Sequence, residues 1–431
     1  MLRLTVVMTI IRVGSPSARF LVVLLVVGLV GGCARSPGPS ASAPASVAAP
    51  SSAPAASPSP SLIAPSPSPV EATPTPVASA ALSCAGSTLA EMTEAQRIGQ
   101  LFSVGLDKNR LDAASRDMIV ANHFGSVWYR ARTTIGVAGV RKVADAVQKL
   151  ATGEATAGVR FFIAANQEGG LIQALAGPGF DTIPSAVDQG KLLPADLQAR
   201  AKRWGQQLLA VGVNMDFAPV ADVVPPGTDA KNAPIGQLER EYGHDPTTVA
   251  SHVGAFIHGM RAAGVATTAK HFPGLGRVEG NTDFTSQVVD TVTTPDDPYL
   301  KPFARAATVH VPFVMVSLAT YDRMDPDHLA AFSKTIIETV LRQDLGYRGV
   351  VISDSLTADA VSDISPGRRA IDFIEAGGDM IVLGPIDVAV PMAKALAERA
   401  TSDAAFRARI DQSALRILTA KAAAGLLSCA G

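Results

Sequence analysis

Two short runs in the sequence combine residue types that could do chemistry. In Lys270-His271-Phe272-Pro273-Gly274 a lysine and a histidine close an apolar stretch, and a Pro-Gly turn follows. Such groups at a rigid strand end present fixed hydrogen-bond donors to the hydroxyls of a polar ligand. In Gly349-Val350-Val351-Ile352-Ser353-Asp354-Ser355-Leu356 an apolar strand delivers a carboxylate, Asp354. That carboxylate could be a nucleophile, a metal ligand or a helix cap. Asn166-Gln167-Glu168, Asp216 and Ser317 close other apolar runs in the same way. Any one of these would be simply the first polar residue after a strand. Three carboxylates, a lysine and a histidine at the same end of their strands point instead to one shared polar site.

The other histidines give no such signal. His252 and His258 stand six apart on one predicted helix, not at the i, i+4 spacing of a helical metal pair, and His123, His244 and His310 have no spaced partners. Gly274-Leu275-Gly276 has the composition of a flexible loop, and the loop runs on through Glu279-Gly280-Asn281 with no helix to receive a phosphate. The residues therefore indicate neither a metal nor a cofactor.

Short runs rich in Val, Ile and Phe recur at residues 100–105, 124–129, 159–166, 213–220, 266–271, 312–319, 349–353 and 379–383. Segments of helical periodicity lie between them, at 141–150, 195–211, 246–263, 334–345 and 366–375. Continuous apolar runs are the mark of strands buried on both faces, and strict alternation with helices implies parallel pairing. The pattern predicts an α/β fold, a (β/α)8 TIM-type barrel forming one catalytic domain over residues 85–431. In a closed barrel the C-terminal strand ends meet at one mouth, which gathers Asn166, Asp216, Lys270, His271 and Asp354.

Upstream of the barrel the composition changes. Arg3, Arg12 and Arg19 precede an apolar run at 20–30, which is about half the length needed to span a bilayer, and the pattern predicts an export signal over residues 1–32. Val30-Gly31-Gly32-Cys33 resembles the bacterial lipoprotein processing site, which implies lipidation of Cys33 and an extracytoplasmic protein anchored to the cell membrane through that lipid. Between Ala34 and Ala80 lie 12 of the 30 prolines, with Arg35 and Glu71 the only charges, so residues 33–84 are expected to form a disordered, extended tether. Residues 1–84 hold four basic residues and one acidic one, which leaves 33 against 37 and a charge near −4 for the remainder. That balance argues against a nucleic-acid partner. With Cys33 assigned to lipid, Cys84 and Cys429 remain near the two ends of the domain, and an exported protein is expected to bridge them as a disulfide.

The motifs resemble those of glycoside hydrolase family 3, and within it the single-domain bacterial β-N-acetylglucosaminidases. Ile98-Gly99-Gln100-Leu101, Gln167-Glu168-Gly169-Gly170, Asp216-Phe217-Ala218-Pro219-Val220, Ile235-Gly236 with Arg240 and Tyr242-Gly243, the Lys270–Gly274 run, Pro302-Phe303 and Ser353-Asp354 carry the likeness. Ala376-Gly377 with Asp379 and Arg416-Ile417-Leu418 complete it, all in family order across residues 89–427. The resemblance implies a retaining mechanism in which Asp354 attacks the anomeric carbon, while Asn166, Arg240, Lys270 and His271 hold sugar hydroxyls.

Three departures stand out. Asn166 replaces an aspartate, and Ala174 follows Gln173 where an arginine is usual. In the fifth-strand loop the family carries an Asp-Ser-His run as general acid/base, and here Asp283-Phe284-Thr285 keeps the aspartate without the histidine. Asp283 is the expected acid/base, with Glu279 and His328 as alternatives. The expected function is an exo-acting, monomeric β-N-acetylglucosaminidase working on cell-wall fragments. Two other readings are a sugar-binding lipoprotein on a degenerate barrel and a related β-glycosidase or phosphorylase.

Overall fold

The computed structural model of the chain describes residues 76–428. The export signal, Cys33, residues 33–75 of the expected tether, and Cys429 lie outside the described residues.

Eight strands form one parallel sheet: β1 (Phe102–Leu106), β2 (Ser126–Tyr129), β3 (Phe162–Ala165), β4 (Met215–Asp216), β5 (Ala266–Phe272), β6 (Phe313–Val316), β7 (Val350–Ser353) and β8 (Ile381–Leu383). Neighbours in sequence are neighbours in space from β1 to β7, and β8 pairs with β1. A parallel bridge between Ile352 and Met380, with Ser353 N donating to Met380 O, joins β7 to β8 and rounds the sheet into the expected barrel. Each of the eight predicted apolar runs supplies one strand. Their side chains are buried on both faces because helices cover the outside while side chains fill the inside.

The helices are α1 (Pro76–Glu91), α2 (Glu94–Gln100), α3 (Ala113–Ala121), α4 (Gly136–Gln148), α5 (Pro194–Ala210), α6 (Pro246–Ala262), α7 (Lys301–Thr308), α8 (Pro366–Glu375), α9 (Ile386–Ser402) and α10 (Ala404–Ala423). Their starts are written in the sequence. Thr93 and Gln96 form a reciprocal capping box on α2. Proline opens α5, α6 and α8, where its missing N–H costs nothing. Thr335–Asp344, expected as an ordinary helix, is wound as a π-helix.

Two features differ from the sequence reading. Residues 76–84, expected as tether, belong to α1, because the prolines stop at Pro76 and the Ala-rich stretch after it favours helix. Ala85 of this helix and Met92 just past its end pack with Leu418 of α10, and Cys84 is disulfide-bonded. Gly276 is not in a flexible loop: a Cβ there would lie 1.9 Å from Val223 O, so only glycine fits against that backbone.

Polar groups plug the end of the barrel opposite the mouth. Asp379 accepts from Arg342 Nη2 (2.7 Å), Arg416 Nη1 (2.9 Å) and Arg409 Nη2 (3.2 Å), which outweighs its complete burial and lowers its pKa. Lys421 is also fully buried and donates to Gln100 Oε1 and Gly125 O, both at 2.7 Å. Burial pushes its ammonium down to about 7.

Candidate active site

After β3 the chain turns through a short hairpin, Gln167–Gly169 against Ile172–Gln173. Gly169 has φ 109°, and a Cβ there would lie 2.1 Å from Pro184 O, so the turn that aims Glu168 inward requires glycine. Glu168 accepts from Arg240 Nε (2.8 Å) and Nη2 (2.9 Å) and from Lys270 Nζ (2.6 Å). Burial alone would raise its pKa, but the two cations overcome that and hold it at about 2. Lys270 Nζ also donates to Asn166 Oδ1 (2.7 Å), and Arg240 Nη1 to Pro234 O (2.7 Å).

Lys270 and His271 are adjacent, yet both serve this network. The ladder between β5 and β6 shifts register between Lys270 and Phe272, and such a bulge lets neighbouring side chains depart from strict alternation. His271 Nδ1 donates to Asp222 Oδ2 (2.7 Å), whose carboxylate also receives the His271 and Leu275 backbone N–H groups. Arg240 Nη2 lies 3.3 Å from His271 Nε2. A carboxylate only accepts, so His271 Nδ1 carries the proton shared with Asp222.

Asp216 ends β4 beneath this layer. Its Oδ1 accepts from Gln167 N (3.0 Å), while its Oδ2 is buried without a hydrogen-bond partner. Burial raises the carboxyl to about 7, with the negative charge of Glu168 adding to the rise.

Asp354 follows β7 at the mouth. Its backbone N–H donates to Val316 O (2.9 Å), and its Oδ1 accepts from Ser355 N (2.8 Å). It is partly exposed and close enough to Arg240 and Asp283 to act on both electrostatically. Asp283 comes from the long loop after β5. Ala360 N donates to Thr282 O (3.1 Å) and Asp359 N to Asp283 O (3.4 Å), which pins that loop to the segment just past Asp354. Crowding at the mouth and the charge of Asp354 raise the Asp283 carboxyl, although the side chain itself is open to solvent; His271, Arg240 and Lys270 pull the other way.

The mouth therefore brings together Asn166, Arg240, Lys270, His271, Asp283 and Asp354. It also holds two carboxylates to which the sequence reading gave no role. Glu168 was visible as a strand-end residue and as part of the Gln167–Gly170 motif, without a role, and Asp222 not at all. The signal for Asp222 was a lone charge inside the apolar run Phe217-Ala218-Pro219-Val220-Ala221-Asp222-Val223-Val224. Arg240 and Lys270 differ from expectation in being ion-paired to Glu168 instead of standing open to a ligand. Glu279 is exposed, and exposed His328 pairs through Nδ1 with Asp325 (3.0 Å) on the hairpin after β6.

A parallel barrel whose mouth sets two carboxylates of different environment beside a layer of paired Arg, Lys and His donors has the groups that glycoside hydrolysis uses. The chain belongs to glycosyl hydrolase family 3: residues 93–420 match its N-terminal domain. A β-hexosaminidase of Alkalilimnicola ehrlichii is 32% identical over 305 residues, 67% of this chain and 81% of that protein. The crystal structure of a β-N-acetylhexosaminidase from Beutenbergia cavernae is 46% identical and superposes with a TM-score of 0.75 over 77% of this chain and 98% of that one. A family 3 β-N-acetylglucosaminidase from Paenibacillus is 28% identical, with a TM-score of 0.69 over 79% of this chain and 64% of its own.

Proposed function

We propose that the protein is a retaining, exo-acting β-N-acetylglucosaminidase that removes terminal N-acetylglucosamine from peptidoglycan fragments. The observation that carries this reading is Asp354, at the end of β7, with one carboxylate oxygen fixed by Ser355 N and the side chain open to the mouth. The likeness to β-N-acetylhexosaminidases across almost the whole of the B. cavernae chain supports the sugar. The export signal and Cys33 read from the sequence support a membrane-anchored enzyme beside the cell wall.

In this mechanism Asn166, Arg240, Lys270 and His271 hold the hydroxyls of the terminal sugar. Glu168 and Asp222 keep the donors in place before substrate arrives, so little reorganisation is needed during reaction. Asp354 attacks the anomeric carbon to form a covalent glycosyl-enzyme, and Asp283 protonates the departing oxygen. The charge of Asp354 is one cause of the raised Asp283 pKa. Bonding to the sugar removes that charge, the pKa of Asp283 falls, and the acid of the first step becomes the base that activates water in the second.

Mass spectrometry of the products from purified peptidoglycan fragments tests the whole reading. Free N-acetylglucosamine is expected, and a sugar 1-phosphate formed in phosphate buffer would instead make the enzyme a phosphorylase. For Asp283, the variant Asp283→Asn should lose about 10²–10⁴-fold in kcat/KM on a substrate with a sugar leaving group and far less on one with a nitrophenolate, whose departure needs no proton. Because Asp283 is raised, the wild-type activity on the sugar substrate should fall as pH climbs through that elevated pKa, and the variant should lack this limb. Equal losses on the two substrates would exclude Asp283.

A further inference from the structure

The loops after β1 and β2 carry a group of cations that the mechanism does not use. Lys108 and Arg110 stand on the first, Arg130 and Arg132 on the second, and the side chains of all four are exposed. None has a side-chain hydrogen bond or ion pair among the described residues. Arg240 and Lys270, by contrast, are both ion-paired with Glu168. The acids on these loops are Asp107 and Asp112, and Asp112 caps α3 through Ser115 N (2.8 Å) and feels the charge of Arg110. Four cations therefore outnumber two carboxylates here, on a domain whose overall charge is negative.

The arrangement is built. Asn109 Oδ1 accepts from Ala131 N (3.0 Å) and its Nδ2 donates to Ala131 O, which stitches the two loops together. Lys108 and Asn109 both take left-handed backbone conformations, φ 49° and 54°, which non-glycine residues rarely adopt without a surrounding structure that requires it. The Asn109–Ala131 pair holds the loop that carries Lys108 and Arg110 against the loop that carries Arg130 and Arg132.

This rim adjoins the reacting end of the site. The Arg130 guanidinium packs on Gly384, just past β8, so closely that a Cβ there would lie 2.8 Å from Arg130 Nε. Gly384 N donates to Thr357 Oγ1 (3.3 Å), Thr357 Oγ1 bonds Ser355 Oγ (3.0 Å), and Ser355 N holds Asp354 (2.8 Å). Arg130 is thus linked to the candidate nucleophile through four short contacts.

We propose that this rim is a specificity site for the leaving group, taking β-N-acetylglucosaminides whose second sugar carries a carboxylate. The inference rests on the glycosidase reading above. The terminal N-acetylglucosamine is neutral and sits among the buried donors, so cations at the rim have nothing to recognise on it. They recognise what projects outward across the scissile bond. Planar guanidinium groups pair with carboxylates through two parallel hydrogen bonds, which makes Arg130 and Arg132 the selective pair and Lys108 and Arg110 the surrounding field.

The test uses the full chain and three substrates: an aryl β-N-acetylglucosaminide, the neutral disaccharide of two N-acetylglucosamines, and N-acetylglucosamine linked to N-acetylmuramic acid. The readout is the ratio of kcat/KM for the carboxylate-bearing disaccharide to that for the neutral one. A wild-type ratio of about ten or more, shrinking in high salt, is expected. Arg130→Ala with Arg132→Ala should lower the ratio about tenfold, and Gly384→Ala should lower it by displacing Arg130 without removing its charge. Arg130→Lys with Arg132→Lys should keep part of it, which guards against a folding artefact. A wild-type ratio near one, or a ratio that the Ala pair leaves unchanged, overturns the rim while sparing the glycosidase reading. Release of N-acetylglucosamine from none of the three substrates overturns both.

Discussion

Replacing Asp354 with glycine should lower turnover of an aryl β-N-acetylglucosaminide by about 10⁴-fold or more while leaving the fold intact. The two halves of this expectation come from different observations. The side chain makes one hydrogen bond, to the neighbouring Ser355 N–H, and bears none of the barrel's packing, so its loss is a small perturbation of a large core. Activity is different, because a covalent mechanism cannot proceed without the nucleophile. Sodium azide supplies a second test. In the glycine variant it can enter the space of the missing carboxylate and attack the anomeric carbon directly, restoring turnover of an activated substrate and giving an azide product of inverted configuration. Near-wild-type activity in Asp354→Gly, or a rescued product of retained configuration, would remove Asp354 from the nucleophile's role.

Glu168→Gln should be the most damaging conservative change in the mouth, costing about 3–5 kcal/mol of stability as well as most of the activity. Glutamine fills the same space but leaves Arg240 and Lys270 facing each other without the charge that holds both. Removing one member of a buried ionic group costs far more than removing the whole group, so adding Lys270→Met should recover part of the stability and none of the activity. The pH dependence follows from the folded pKa of about 2, which lies below the ordinary glutamate value. Glu168 therefore contributes stability that is fully present above about pH 4.3 and is lost as pH falls toward 2. Denaturant unfolding of wild type and variant between pH 2 and 7 should show the gap between them closing at the acid end. A gap that stays constant across this range would mean that Glu168 is not an ionised partner of the two cations.

The barrel was legible because its strands obey a strong rule. A strand covered on both faces must be apolar throughout, so each stood out between helices of a different period. The end of the tether was misplaced because composition changes gradually there: Ala and Ser belong equally to a Pro-rich coil and to a helix, and only the last proline marks the boundary. In the mouth, residues at strand ends were readable from their position alone. Asp222 was not, since its role depends on a contact with His271 from the next strand, which no local pattern encodes. The same is true of Arg240, whose placement in the sugar site was expected but whose pairing with Glu168, 72 residues away, was not.

The lateral packing of α1 on α10 determines how the domain responds to tension. A pull on the chain ahead of residue 76 enters through α1 and runs along its contact with the last helix, where Ala85, Leu89 and Met92 meet Leu415 and Leu418. These residues and the covalent link at Cys84 are loaded in shear before any barrel strand is. Tension applied there would be borne by this contact before it reached Glu168, Arg240, Lys270 and Asp354. The helix on the outside of the barrel would then act as a strain relief for the mouth.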